Sequence, residues 1–152
     1  MTSIKVIAER WRQWQPTMHV ETLALLGSLF FTVSSNSLFW KSMLAGRSFA
    51  QSDAWLFAVG VGVTMVALHF FMFALVFNRW TAKPLLALLL VITAFASYYM
   101  STFTVFLDPS MLRNVLRTDV KEAGELFNVG MLPHLLLTAV IPLLVLFRLL
   151  PM

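Results

Sequence analysis

In this chain of 152 residues, the side chains best suited to handle a polar ligand crowd into one stretch, 108–128, which reads DPSMLRNVLRTDVKEAGELFN and holds four of the seven acidic residues. Asn114, Thr118 and Glu122 recur there at every fourth position, so an unbroken helix would carry them on one polar face. An amide, a hydroxyl and a carboxylate together offer donors and acceptors, enough to hydrogen-bond a phosphate or amine headgroup. The same pattern also describes a plainly solvated helix surface. Asp108 before Pro109 is a helix start, its carboxylate placed to accept from free backbone N–H groups and proline at the first helical position. From there Met111, Leu112, Val115 and Leu116 repeat with helical period, opposite Arg113, Asn114 and Arg117, which predicts an amphipathic helix over 109–118 lying on a membrane surface. Continued without interruption, that helix would bury Asp119 in its apolar face, a costly place for a carboxylate. A break lets Asp119 cap a second short helix, 120–127, with Glu122 at its third position in a capping-box arrangement.

Other reactive constellations are missing from the sequence. There is no cysteine, so neither a disulfide framework nor a thiolate metal site is available. The three histidines, His19, His69 and His134, fall in separate segments and do not make a zinc set; no metal or other cofactor is expected in this chain. Glu21, about a turn into the first hydrophobic run, and His69 in the second could share a hydrogen bond across antiparallel helices. Alternatively His69 bonds a backbone or hydroxyl group nearby and Glu21 reaches the interface.

These residues need elements to position them, and composition says which. Hydrophobic residues make up 59% of the chain, charged residues only 12%, and mean hydropathy is +0.81; soluble domains carry about 45–50% apolar and about 25% charged residues. The charges gather between long uncharged runs, each near the roughly 20 residues that cross a bilayer core. The chain therefore reads as an all-α integral membrane protein with four transmembrane helices, at about 18–39, 54–77, 84–103 and 129–150. The first run is longer than a signal-peptide core and follows a long leading segment, so it is expected to be an uncleaved anchor. Residues 1–17, with Ile4, Ile7, Trp11 and Trp14 flanked by Lys5, Arg10 and Arg12, are expected to form an interfacial helix.

All five tryptophans fall at or beyond span ends, as an aromatic belt would place them. Pro84 is tolerated in a first helical turn, whereas Pro142 lies inside the fourth span and predicts a kink. The polar run Ser34 to Ser37 marks the far end of the first span. The small residues Ala58, Gly60, Gly62 and Thr64 predict close packing along the second. The net charge of +4 comes without a basic cluster interleaved with aromatics, so the cations belong to the lipid surface and nucleic acid is not an expected partner. Six cations against five favour a cytoplasmic N-terminus, which puts loops 40–53 and 108–128 on the opposite side.

The stretch SYYMSTFTVFLDPSMLRNVLRTDVKEAGELF resembles the corresponding segment of the lipid phosphoethanolamine transferases, including the mobile colistin resistance proteins. An aromatic helix end is followed by Val105, Asp108, Met111, Leu112 and Asn114 in a V-x-x-D-x-x-M-[IL]-x-N pattern. Thr118, Asp119, Glu122 and Ala123 then match T-[DN]-x-x-E-[AT]. Asn36 before Phe39, and Lys83, Pro84 and Leu85, extend the likeness, which runs from about Glu21 to Leu137.

The resemblance implies a bacterial inner-membrane enzyme with an N-terminal helical domain and a periplasmic, zinc-dependent domain of the alkaline phosphatase type. That family moves phosphoethanolamine from phosphatidylethanolamine to a lipid A phosphate through a phosphorylated threonine, and the modification confers polymyxin (colistin) resistance. Asn114, Thr118 and Glu122 occupy the positions implied to line the phosphatidylethanolamine site. The catalytic threonine and zinc ligands have no counterpart here. The chain is therefore expected to be the membrane domain alone, residues 1–17 a cytoplasmic interfacial segment and 18–152 the transmembrane domain. It is expected to anchor the enzyme, to help present lipid and to be inactive by itself. The competing classes are a small transporter or channel subunit, disfavoured by spans nearly free of ionisable groups at their centres, and a structural anchor without lipid selectivity.

Overall fold

The computed structural model describes residues 18–106, 108, 113 and 128–149. Among these all regular structure is helical, as the composition predicts. Three helices, 52–76, 82–103 and 131–148, are long and apolar enough to cross a membrane; a fourth span exists if a bent helix pair near the N-terminus is taken as one crossing.

That pair is α1 (Val20–Ser34) and α2 (Ser37–Met43), which meet at an angle of 63°. The first span, predicted as one helix over 18–39, is thus broken at Ser35 and Asn36. No proline or glycine is responsible. The run of Ser and Asn supplies side chains that compete for backbone groups: those of Ser34 and Asn36 share Phe30 O and Phe31 O with the helix, the latter also bonded by the Ser35 N–H, while Thr32 O, which a continuing helix would give to Asn36 N–H, is taken by Trp40. Ser34 Oγ donates to Phe30 O at 2.7 Å, Asn36 Nδ2 to Phe31 O at 2.8 Å and Trp40 Nε1 to Thr32 O at 2.7 Å. Carbonyls orphaned at a helix end are costly in a bilayer unless satisfied this way. Trp40 is half-buried, its indole folded back on α1 and against Gly62.

α1 buries one stripe, Leu23, Ala24, Gly27, Ser28, Phe31 and Thr32, at the three- and four-residue spacing of a helix face. It packs mainly on α3 (Ser52–Val76), and Gly27 is where a third helix also closes in. A Cβ there would lie 3.1 Å from Leu86 Cδ1 and 3.4 Å from Phe73 Cε2. Phe31 meets Phe73 edge-on at 5.9 Å, and Phe73 stacks on Phe77 at 4.7 Å. The far side of α3 is open: Leu56 is 71% and Leu75 70% exposed, which suits a lipid-facing surface. Of the two glycines predicted to pack in α3, Gly62 lies against Trp40 while Gly60 faces open space.

The turn after α3 is closed by side chains. Asn78 Oδ1 accepts from the N–H groups of Trp80 and Thr81, and Thr81 Oγ1 donates to Val76 O. α4 (Ala82–Phe103) then starts two residues ahead of Pro84, which lies in its first turn as expected. It ends at Thr104, whose left-handed φ of 54° is rare for a β-branched residue and stops the helix. The last span, α5 (131–149), alternates α and π turns, with π segments at Leu136–Val140 and Val145–Leu149. Pro142 has no N–H to give, and the ladder before it shifts register: Ile141 N–H bonds Leu136 O, five residues back.

Candidate functional site

Antiparallel succession brings the C-terminal ends of α1 and α4 and the N-terminal ends of α3 and α5 to the same end of the bundle. Polar side chains collect there. On α4, Ser97 and Ser101 lie on the face that carries Leu86, Leu90 and Ala94 further down, so an apolar seam turns polar near its end. Ser101 Oγ meets Ser37 Oγ of α2 at 3.0 Å. Around this pair a pocket of about 240 Å³ is bounded by the break residues Ser35, Asn36 and Ser37, by Ser97 and Ser101, and by the apolar side chains of Leu38, Phe39, Met100 and Phe106. Among the described residues its lining offers hydroxyls and an amide and no ionisable group.

The start of α5 is tied to the same place. Asn128 Oδ1 accepts from the N–H of Met131, the first residue of α5, at 3.1 Å and from Tyr98 Oη at 2.8 Å. His134, one turn on, puts Nε2 3.0 Å from Ser97 Oγ, and Tyr98 lies over its ring at 5.6 Å. A serine oxygen at that distance from an imidazole has the spacing of a nucleophile and its base. The proton position excludes that role. Nε2 is also 3.1 Å from Ala94 O, and a carbonyl only accepts, so Nε2 carries its hydrogen and cannot take one from Ser97. Ser97 is moreover buried, at 3% exposure. The pair holds α5 against α4.

Asn114, Thr118, Glu122 and the cap Asp119 lie outside the described residues, as do the helices expected at 120–127 and in 1–17. Of the helix expected at 109–118 only Arg113 is described, helical and exposed. Asp108 is exposed, its N–H bonded to Phe106 O at 2.9 Å. Both ends of the segment that carries these residues are fixed: it leaves the polar end after α4 and returns there at Asn128. His69 bonds within its own helix, Nδ1 donating to Met65 O at 2.8 Å, in keeping with the simpler of its two sequence readings. Among the described residues no group of three His, Cys, Asp or Glu side chains converges. Sequence reasoning had not assigned Ser97, Ser101, Asn128 or His134 to a site; the one signal was that serines, tyrosines and an asparagine bracket the two span ends.

Fold and site together define a multi-pass helical membrane domain with a neutral polar pocket at one end. Residues 65–150, more than half of the chain, match the family described as Phosphoethanolamine transferase EptA/EptB, and the chain belongs to that family as its N-terminal membrane domain. It is similar to the phosphatidylethanolamine transferase Mcr-2 of Escherichia coli, 27% identical over 125 residues, which is 81% of this chain and 23% of that protein. It is similar also to phosphatidylethanolamine transferase Mcr-1 of Escherichia coli, 29% identical over 116 residues (76% and 21%), and to phosphoethanolamine transferase EptA of Escherichia coli K12, 24% identical over 124 residues (82% and 22%). The chain thus spans about a fifth of the length of these relatives. No solved structure gives a significant match.

Proposed function

We propose that this chain is the part of an inner-membrane phosphoethanolamine transferase that anchors the enzyme and presents its lipid donor. In this reading residues 1–17 lie on the cytoplasmic interface, 18–152 form the transmembrane domain, and loops 40–53 and 108–128 are periplasmic. The segment 108–128 lies at headgroup depth, and Asn114, Thr118 and Glu122 hold the headgroup of phosphatidylethanolamine, supplying proximity and orientation for transfer to a lipid A phosphate. In the full-length protein that transfer confers polymyxin resistance. The chemistry falls to the family's catalytic domain, with its threonine and its zinc. Among the described residues the three histidines do not make a metal set, because His19, His69 and His134 sit at the start of α1, within α3 and on α5.

The observation that carries this reading is the tethering of both ends of the 108–128 segment to the polar end of the bundle, through the end of α4 and the Tyr98–Asn128 bond. The test is titration of phosphatidylethanolamine and phosphatidylcholine into the protein in nanodiscs, read at the amide resonances of Asn114, Thr118 and Glu122. Shifts selective for the ethanolamine lipid are expected. Identical responses to the two lipids would overturn the donor-presenting role in favour of an anchor without lipid selectivity.

A further inference from the structure

The first span arrives in two pieces that do not match its neighbours in length. α1 has 15 residues, α3 25 and α4 22, so α1 alone reaches about 22 Å where α3 reaches about 37 Å and a bilayer core measures about 30 Å. Only with α2 is the crossing complete, and how far the pair reaches depends on the bend. The charges that flank its uncharged run are Glu21 and Lys41, both exposed. On a straight helix they lie about 30 Å apart along the axis, the depth of the hydrocarbon core. With the 63° bend at Ser35 and Asn36 their separation along α1 falls to about 25 Å. The bent form fits a thin bilayer and the straight form a thicker one.

Nothing in the backbone locks the bend. Ser35 (φ −99°, ψ −5°) and Asn36 (φ −116°, ψ 30°) both keep negative φ, a rotation of some tens of degrees from helical values near −63° and −42°. Side chains hold it instead: Trp40 Nε1 on Thr32 O at 2.7 Å, with the indole against Gly62 of α3, and Ser37 against Ser101 of α4 at 3.0 Å. A straight helix would give Thr32 O to the Asn36 N–H, so latch and straight helix exclude each other. The latched form also carries a cost, because Thr32 Oγ1 is buried with no partner among the described residues. A mismatch of about 5 Å and one or two such hydrogen bonds are of the same order of energy in a membrane. Bilayer thickness is therefore enough to tip the balance.

We propose that α2 is a lid over the serine pocket that opens as the bilayer thickens, hinged at Ser35 and Asn36 and latched by Trp40 on Thr32. Latched, α2 sets Ser37, Leu38 and Phe39 as pocket walls against Ser97, Met100 and Ser101 of α4. Straightening breaks the Trp40 and Ser37 bonds, returns Thr32 O to the helix and draws those walls away from α4. The inference goes beyond the donor-presenting reading and does not rest on it, since α2 and the pocket lie outside 108–128.

The test is a spin-label distance between Leu25 on α1 and Met43 on α2, both exposed, read by pulsed dipolar electron resonance. The full chain is placed in nanodiscs of phosphatidylcholine with short, medium or long monounsaturated chains, and its lack of cysteine leaves only the introduced thiols to label. The bend puts the two positions about 23 Å apart and a straight helix about 27 Å. The longer distance is expected to gain about threefold in population from the shortest lipid to the longest, and Trp40→Phe is expected to raise it several-fold in every bilayer. A second chain carries Ser37→Cys with Ser101→Cys in place of the labels. Its disulfide yield under brief oxidation reports the latched form, because the two oxygens lie 3.0 Å apart, and is expected to fall about twofold as the lipid lengthens. A constant distance between labels at Leu75 and Leu88, on α3 and α4, is the sign of an intact fold. A longer-distance population that ignores lipid length or Trp40→Phe, or a disulfide yield equal in every bilayer, overturns the proposal. The headgroup is the same throughout and the readout avoids 108–128, so failure here and failure of the donor-presenting reading are separately visible.

Discussion

The two ends of the bundle are held by different forces. Around Gly27, Phe31, Phe73 and Leu86 the helices approach through shape: a missing side chain and edge-on and stacked rings. At the other end the contacts are polar, Ser37 to Ser101, Ser97 to His134 and Tyr98 to Asn128, and a pocket is left open among them. In lipid there is no hydrophobic drive to press helices together, so dispersion in close packing does that work and small residues set how well. Hydrogen bonds are weaker per contact there but directional, which suits an end that must hold a fixed opening for a polar group.

If this division is right, the apolar end should be the more sensitive to added volume. Gly27→Leu would drive a branched side chain into Leu86 and Phe73, and overpacking of this kind costs about 1–3 kcal/mol. The largest loss of the series is expected there, measured as a shift in the SDS-unfolding midpoint of the protein in bicelles. A variant as stable as the parent would mean that the three helices are not in contact at Gly27.

At the polar end the effects should be smaller and should appear in geometry first. Trp40→Phe removes the donor to Thr32 O, the bond that folds α2 back on α1; interhelical hydrogen bonds in membranes contribute about 0.6 kcal/mol, up to about 1.7. A cost near 1 kcal/mol is expected, with a broadened distribution of spin-label distances between α1 and α2. An unchanged distribution would show that Asn36 and Ser34 suffice to hold the 63° break. His134→Ala should cost about 0.6 kcal/mol, since it removes one shared donor, Nε2–H, that reaches both Ser97 Oγ and Ala94 O of α4. His134→Gln keeps an N–H donor and should recover part of the loss. Full activity of either variant in a full-length enzyme is consistent with the positioning role argued from the proton on Nε2; a large loss in rate at unchanged stability would contradict it.

Much of the frame was legible from residue types alone, because a run of about 20 apolar residues has few other uses and its ends carry prolines, tryptophans and charges. Helix ends in α3, α4 and α5 fall within two residues of where the pattern put them. The break after Ser34 was not legible: the four polar residues were visible, but a polar run at a span end reads the same whether the chain exits or turns. What decides is Trp40 reaching back to Thr32, a contact made in space. His134 was likewise visible only as an isolated imidazole, since its partner Ser97 lies in a different span. The chemistry-bearing triad Asn114, Thr118 and Glu122 was read from four-residue spacing and family likeness, and the structure contributes the anchoring of its segment at both ends.

Gly60 gives the smallest effect and the cleanest contrast with Gly27. Both are helix-interior glycines in apolar runs and look alike in sequence. At Gly27 an added methyl meets two side chains, whereas at Gly60 nothing lies within 4 Å and the residue is exposed toward lipid. Alanine at an unobstructed helical position removes unfolded-state freedom and gains roughly 0.5–1 kcal/mol of helix stability in water. The gain in a bilayer should be no greater, because lipid already favours the helix by forcing backbone groups to pair. Gly60→Ala is therefore expected to be neutral or stabilising by up to about 0.5 kcal/mol in the same SDS titration. A clear destabilisation would show that something packs on the outer face of α3 in the membrane, and the surface assigned to lipid would have to be reassigned to a protein neighbour.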